Sequence, residues 1–214
     1  MAESERRQAT VMFADISGFT SMSEKMDPED VTAIMNDCFE MLGSVIKAHG
    51  GHIDKFIGDC VMAVFGVPKA IEDAPAKAVS CALEIRDRLY RFNSEWKLTI
   101  PLDIHIGINT GMVIAGNVGS REKKEYTVMG DTVNLASRLE EISEKGQILT
   151  GPETWRYTQS KFEYAEATAT SLKGKGEPVQ VYTVLGEARE SPGAGGNAAE
   201  ECMISSELVG RDKE

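Results

Sequence analysis

Asp15 and Asp59 each stand where an apolar run meets a glycine: "FADISGFT" over 13–20 and "DKFIGDCVMAVFG" over 54–66. A carboxylate among Val, Ile and Phe is expensive to bury unless a cation or a hydrogen-bond donor meets it. Taken singly, each reads as a turn or cap residue, because Asp-x-Ser-Gly and Gly-Asp are turn-like. Taken together they say more. If the first strand and the following hairpin are neighbours, both carboxylates come to one end of a sheet. Paired carboxylates with a nearby backbone carbonyl such as that of Ile16 form a hard-oxygen site suited to Mg²⁺ or Mn²⁺. Two such ions could activate an attacking hydroxyl and stabilise a leaving phosphate.

Other residue types suit the rest of a nucleotide. Lys55 lies four residues before Asp59. Strand alternation places it on the face of Ile53 and Ile57, either as a solvated edge lysine or as an amine reading a heterocycle's acceptor. "EYTVMGDTVNLASRLE" (125–140) turns at Gly130-Asp131 into a helix on which Asn134 and Arg138, four apart, share one face near the N-terminus. That is an ordinary amphipathic helix with a solvated Arg, or an amide and a guanidinium placed for a ribose and a phosphate. "SLKGKGEP" (171–178) reads as a flexible turn unless an anion lies nearby, in which case Lys173 or Lys175 can approach it. "GSREKKEY" (119–126) adds Arg121, Lys123 and Lys124 on a loop. His49, His52 and His105 show no metal or triad spacing and read as structural.

The elements that must position these groups follow from periodicity. "QATVMFADI" reads as a buried strand. "DPEDVTAIMNDCFEMLGSVIKAHGG" reads as an amphipathic helix, opened by Asp27 and Pro28 and closed by Gly50 and Gly51. "HIDKFIGDCVMAVFG" reads as a hairpin turning at Ile57-Gly58-Asp59, and "AIEDAPAKAVSCALEIRDRLYRFNSEW" as a second helix. "LDIHIGINTGMVIAGNVG" reads as a strand pair turning at Thr110-Gly111, and "GDTVNLASRLEEISEKG" as a third helix. "QILTG", "FEYAEATAT" and "EPVQVYTVL" supply later strands. The order predicts an α+β domain: a ferredoxin-like (βαββαβ) antiparallel sheet with helices on one face, plus extra C-terminal strands.

Bulk properties narrow the function. A chain of 214 residues suits one domain with an appended tail, and its net charge of −11 argues against a general nucleic-acid binder. Residues 1–7 read as a polar leader, 8–185 as the patterned domain and 186–214 as a disordered tail, in which "CMISSELV" is a weak exception. The N-terminus lacks a secretory signal and the longest apolar stretch is too short for a bilayer. Cys38, Cys60, Cys81 and Cys202 show no framework spacing and read as reduced, core-filling thiols, so the expectation is a cytoplasmic protein.

"VMFADISGFTSMSE", "HGGHIDKFIGDCVMAVFG", "GINTGMVIAGNVGS" and "EYTVMGDTVNLASRLE", in this order and followed by "LKGKGEPVQVY", closely resemble the catalytic domain of class III adenylyl (nucleotidyl) cyclases. The likeness runs from about Ala9 to Leu185. It implies that Asp15 and Asp59 bind two divalent cations and that Lys55 reads the adenine ring. By the same likeness Asn134 orients the ribose, Arg138 stabilises developing phosphate charge and Lys173 contacts the terminal phosphates. The partner of the lysine at the base is often an aspartate in the family's adenylyl cyclases. Here it is Thr127, and Lys–Thr resembles the subclass in which bicarbonate stimulation is common. Guanylyl cyclases tend to carry Glu and Cys at these positions, so the pair favours ATP.

The resemblance also implies a head-to-tail homodimer with shared active sites. Asp15 and Asp59 would come from one protomer; Lys55, Thr127, Asn134, Arg138 and Lys173 would come from the other. The alternatives are a guanylate cyclase and, from a different class, a non-catalytic nucleotide- or anion-sensing partner domain. Degenerate members usually lose a metal carboxylate or the arginine, and this chain retains them. A polymerase-like palm domain would share the two-carboxylate logic but gives no reason for the Asn134–Arg138 pairing.

Overall fold

The computed structural model describes residues 4–120, 124–172 and 176–188. Its elements are β1 (Glu5–Ser17), α1 (Phe19–Ser23), α2 (Pro28–Ala48), β2 (His52–Ile57), β3 (Cys60–Phe65), α3 (Ala74–Glu95) and β4 (Asp103–Gly119). They continue with β5 (Lys124–Met129), α4 (Asp131–Ile142), β6 (Ile148–Thr150), α5 (Pro152–Thr158), β7 (Phe162–Tyr164), β8 (Thr168–Thr170) and β9 (Val179–Glu187). The sheet runs β2-β3-β1-β4-β6-β9-β7, with β5 joined to β4 and β8 to β9. The described pairings are antiparallel apart from β4 with β6. This is an α+β domain, as its alternating strand and helix periodicities require.

Helix α2 begins as its sequence dictates. The Asp27 carboxylate accepts from the Glu29 amide, Pro28 occupies the first turn, and Val31, Ile34, Met35, Cys38 and Leu42 turn inward. Gly50 takes a positive φ of 76° just beyond the helix, the conformation that glycine supplies without steric penalty. Two short helices, α1 and α5, lie in stretches where periodicity assigns no element.

Two expectations about architecture are corrected. "LDIHIGINTGMVIAGNVG" is one continuous strand, β4, not a pair turning at Thr110-Gly111. Its residues from Asp103 to Ala115 lie in unbroken register against β1, with Thr10 opposite Thr110 and Ala9 opposite Gly111. Gly111 is there because Thr132 of α4 packs where a Cβ would stand, a close approach rather than a turn. The same ladder takes in Glu5, Arg6 and Arg7, so the last residues of the polar leader belong to β1.

The helices also cover both faces rather than one. Alternation along β1 sends Met12, Ala14 and Ile16 into the core shared with α2 and α3. Ala9, Val11 and Phe13 point the other way, into a cluster that includes Val133 and Ala136 of α4. On β4, a Cβ added to Gly107 would strike the Ala136 carbonyl and the Glu140 nitrogen, while Ile106 and Ile108 belong to the opposite core. Helix α4 therefore presses on the sheet from the side that Asp15 faces, and this decides the site.

Candidate active site

Asp15 lies near the end of β1, paired across the ladders with Cys60 on β3 and His105 on β4. The carboxylate in an apolar strand finds its partner there: Asp15 Oδ2 is 3.2 Å from His105 Nε2. The other ring nitrogen, Nδ1, lies 3.3 Å from Glu140 Oε1 and 3.2 Å from the Glu140 carbonyl. Ligand atoms of Asp15, His105 and Glu140 all fall within 4.8 Å of one another. Asp59 arrives from the β2–β3 turn, where its carbonyl accepts from the Ile16 amide at 3.3 Å, pinning the turn beside the end of β1. The Ile16 side chain is buried in the α2–α3 core, so only its backbone is available to the site.

The charges do not balance. Burial, then the Asp15 charge, push the Glu140 carboxyl up to about 7, with a further contribution from Asp59. The hydrogen bond to Asp15 raises the His105 imidazole against the opposing effect of burial. Two carboxylates thus flank one imidazole, with the Asp59 charge acting on Glu140 as well, and their mutual repulsion is what a divalent cation relieves. Among the described residues, the one buried side-chain oxygen without a partner is Ser17 Oγ, two positions beyond Asp15 on the same face of β1. Hard oxygen donors, surplus negative charge and an unused hydroxyl fit Mg²⁺ or Mn²⁺. A cavity of about 520 Å³, lined by Phe19, Met35, Phe39 and Gly58, opens beside Asp59. A larger one, of about 570 Å³, lies toward the other end of β1 among Arg7, Ala9, Thr10 and Tyr157, and takes in none of the expected site residues.

His105 and Glu140 escaped the sequence reading. Each carried a signal. His105 alternates with the core residues Ile104 and Ile106, so it had to face away from α2 and α3. Glu140 stands two residues beyond Arg138, about 200° around a helix, so it had to leave α4 opposite the arginine.

A second cluster forms around Lys55. Strand β2 does not alternate simply: its register against β3 shifts between Ile53 and Lys55, leaving Asp54 as an extra residue. Ile53 packs on Gly43 of α2, and Phe56, three residues later, packs tilted against Phe39 of α2 with ring centroids 4.9 Å apart. Asp54 and Lys55 between them turn elsewhere, so Lys55 does not share the face of Ile53 as simple alternation predicts. The Lys55 ammonium lies 3.2 Å from Asp54 Oδ2, and the Thr127 hydroxyl of β5 donates to that same oxygen at 2.7 Å. Lys55 and Thr127 are thereby brought together.

On α4, Gly130 is the N-cap, one residue before Asp131, which begins the helix. Asn134 is exposed and Arg138 half-buried. Among the described residues, no hydrogen bond or ion pair joins either to Asp15 or Asp59. Lys173, Lys175, Arg121 and Lys123 lie outside the described residues, as do Cys202 and 189–214. Cys38, Cys60 and Cys81 are free and buried. Burial pushes the Cys38 and Cys60 thiols up to about 12, and protonated thiols are poor nucleophiles. No described helix is long and apolar enough to cross a membrane.

Residues 1–186 match the family model described as the adenylate and guanylate cyclase catalytic domain. Adenylate cyclase 1 of Rhizobium meliloti (strain 1021) is 35% identical over 188 residues, which cover 86% of this chain and 28% of that protein. Receptor-type guanylate cyclase gcy-23 of Caenorhabditis elegans is 35% identical over 187 residues, 86% of this chain and 17% of the relative. The chain thus spans less than a third of the length of either. Among solved structures, the adenylyl cyclase CyaB from P. aeruginosa superposes with a TM-score of 0.84 at 37% identity, covering 89% of this chain and all of that one. The acidic cluster at Asp15 and the Lys55–Thr127 cluster sit on that shared frame, and the chain belongs to the family of adenylate and guanylate cyclase catalytic domains.

Proposed function

We propose that this domain converts ATP to 3′,5′-cyclic AMP and pyrophosphate at the interface of a head-to-tail homodimer, with two divalent cations, Mg²⁺ or Mn²⁺. The observation that carries the reading is the division of labour on α4. Glu140 turns toward the Asp15 of its own chain, whereas Asn134 and Arg138 leave the helix on another side. One chain therefore presents an acidic half-site and, elsewhere, a basic and base-reading half-site. A second copy arranged head to tail closes both. The β4-β1-β3-β2 order of the core strands supports a ferredoxin-like ancestry for the frame.

The chemistry is positioning and charge management. The ribose 3′-oxygen forms a bond to the α-phosphorus as it loses its proton, and the bond from that phosphorus to the pyrophosphate oxygen breaks. Asp15, Asp59 and the Ile16 carbonyl would hold the cations, which supply Lewis acidity to the attacking oxygen and neutralise the departing phosphates. Lys55 and Thr127 hold the base and Asn134 the ribose. Arg138 stabilises the charge that develops at the α-phosphate, and Lys173 meets the terminal phosphates. No covalent intermediate is needed, in keeping with thiols that keep their protons.

Lys55 with Thr127 favours adenine over guanine, although the guanylyl cyclase Cya2 also superposes well, with a TM-score of 0.81 at 35% identity over 88% of this chain and 97% of its own. We also propose, on the resemblance of the Lys–Thr pair, that bicarbonate stimulates the domain and, on its free buried cysteines, that it works in the cytoplasm. The deciding assay uses purified protein with ATP and GTP, Mg²⁺ and Mn²⁺, with and without bicarbonate. Cyclic AMP is expected, and no cyclic nucleotide under any condition overturns the reading. Mixing an Asp15→Ala chain with an Arg138→Ala chain should restore activity through one intact shared site; two inactive chains that stay inactive together would sink the dimer.

A further inference from the structure

The β2 bulge places at the base-reading cluster a residue that neither the family likeness nor the motif reading assigns. Asp54 is the extra residue of that bulge, and its side chain is only 3% exposed. A carboxylate so enclosed must be matched, and its Oδ2 is matched twice, by the Lys55 ammonium at 3.2 Å and the Thr127 hydroxyl at 2.7 Å. An ionised carboxylate only accepts hydrogen bonds. The Thr127 hydroxyl therefore spends its single proton on Asp54, and what it can offer a ligand is a lone pair. Lys55 keeps further N–H donors beyond the one aimed at Asp54, and has no acceptor to offer.

We propose that Asp54 sets the hydrogen-bond polarity of the Lys55–Thr127 pair, making one position a donor and the other an acceptor, and so selects adenine over guanine. This rests on the reading above that Lys55 and Thr127 meet the base. Adenine presents an amine donor at position 6 and a ring acceptor at position 1, while guanine presents a carbonyl acceptor and an N–H donor there. A fixed acceptor at Thr127 and a fixed donor at Lys55 complement adenine at both atoms. Guanine in the same seat sets acceptor against acceptor and donor against donor, leaving buried polar groups unpaired. It can satisfy both only by shifting its edge by one position, which the ribose and phosphate contacts oppose. Without Asp54 the hydroxyl is free to rotate and donate to the guanine carbonyl, which removes one of the two conflicts. Asp54 does not touch the substrate in this account. It is a positioning residue that determines specificity through a hydroxyl rotor and an ammonium.

The test is the ATP-to-GTP ratio, read as kcat/KM and, without turnover, as displacement of a fluorescently labelled nucleotide by ATP or by GTP. Asp54→Leu, which removes the acceptor at similar size, is expected to lower that ratio about tenfold, chiefly through KM, the size expected for one hydrogen bond turned from matched to mismatched. In a Thr127→Val background the same substitution should have no further effect on the ratio, because the hydroxyl it acts through is gone. Should Asp54→Leu fail to fold, Thr127 decides: Thr127→Ser, which keeps the hydroxyl, should keep the wild-type ratio, and Thr127→Val should lower it. An unchanged ratio in Asp54→Leu, or in Thr127→Val, overturns the inference. A wild-type chain that binds ATP and GTP equally overturns it together with the base-reading assignment. A chain that makes no cyclic nucleotide, but binds ATP selectively and loses that selectivity with Asp54→Leu, refutes the proposed reaction and upholds the role of Asp54.

Discussion

The two clusters on this sheet are opposites in one respect. Around Asp15 the acids outnumber their partners: Asp15 and Glu140 share a single imidazole, the Asp59 charge adds to theirs, and Glu140 is pushed up to about 7. Around Lys55 the account closes within the chain: one carboxylate, one ammonium and one hydroxyl satisfy each other. A region left with surplus charge is finished by something cationic from outside. A region already neutral has only direction left to offer, which suits recognition of an uncharged heterocycle. On the proposed function, one half-site serves ions and the other selection, and they use different physics on the same frame.

That contrast can be attacked at three points. The largest effect is expected from Asp59→Asn, which removes a charge from the acidic cluster only. Turnover should fall by about a thousandfold or more, while the ATP-to-GTP ratio in nucleotide displacement stays as in the wild type. A changed ratio would mean that the clusters are not separable. Next comes His105→Ala, which leaves the carboxylates in place and removes the group that orients them. Loss of such a supporting partner typically weakens metal binding by about 10- to 100-fold, to be read as Mn²⁺ affinity by titration. An unaltered affinity would make His105 a packing residue.

The smallest effect concerns pH in metal-free protein. Glu140 holds its proton up to about 7 when folded, against an ordinary value of 4.5 in the unfolded chain. Between those values the native state binds more protons, so stability falls as pH rises through this window. His105, whose pKa is raised, acts with the same sign: its contribution is present below its ordinary value of 6.5 and is lost as pH rises through the folded value. In EDTA the melting temperature should decline by a few degrees from about pH 5 to pH 8, since Glu140 is partly solvated. Glu140→Gln should flatten most of that slope. A melting temperature that rises with pH would contradict the origin assigned to the shift.

The elements were largely legible in the sequence where periodicity is strong and caps are explicit. Helix α2, with Asp27, Pro28 and its glycine end, is the clearest case, and the β2–β3 hairpin at Gly58 is another. Legibility failed where a residue type had two meanings. Gly111 looks like a turn because glycine marks turns, yet it serves close packing under Thr132, which no local pattern reveals. Asp54 looks like a neighbour of Lys55 that alternation sends to the opposite face; the bulge puts both on one side. Neither His105 nor Glu140 has metal-ligand spacing, because they meet Asp15 across a strand ladder and a helix–sheet contact.

What the sequence determined by itself was which functional groups stand at which positions, carboxylates, amines, an amide and a guanidinium, and an element order that yields an α+β sheet. Those follow from side-chain functional groups and from period-2 and period-3.6 patterns, which are local. The tertiary structure alone decided the groupings. The β1–β4 register set His105 opposite Asp15, and placing α4 on the face opposite α2 and α3 brought Glu140 to them and turned Asn134 and Arg138 to another side. One inserted residue in β2 buried Asp54 against Lys55 and Thr127. Both depend on which face of the sheet a helix packs against and on strand register, set by the sum of long-range contacts rather than by any short stretch of chain.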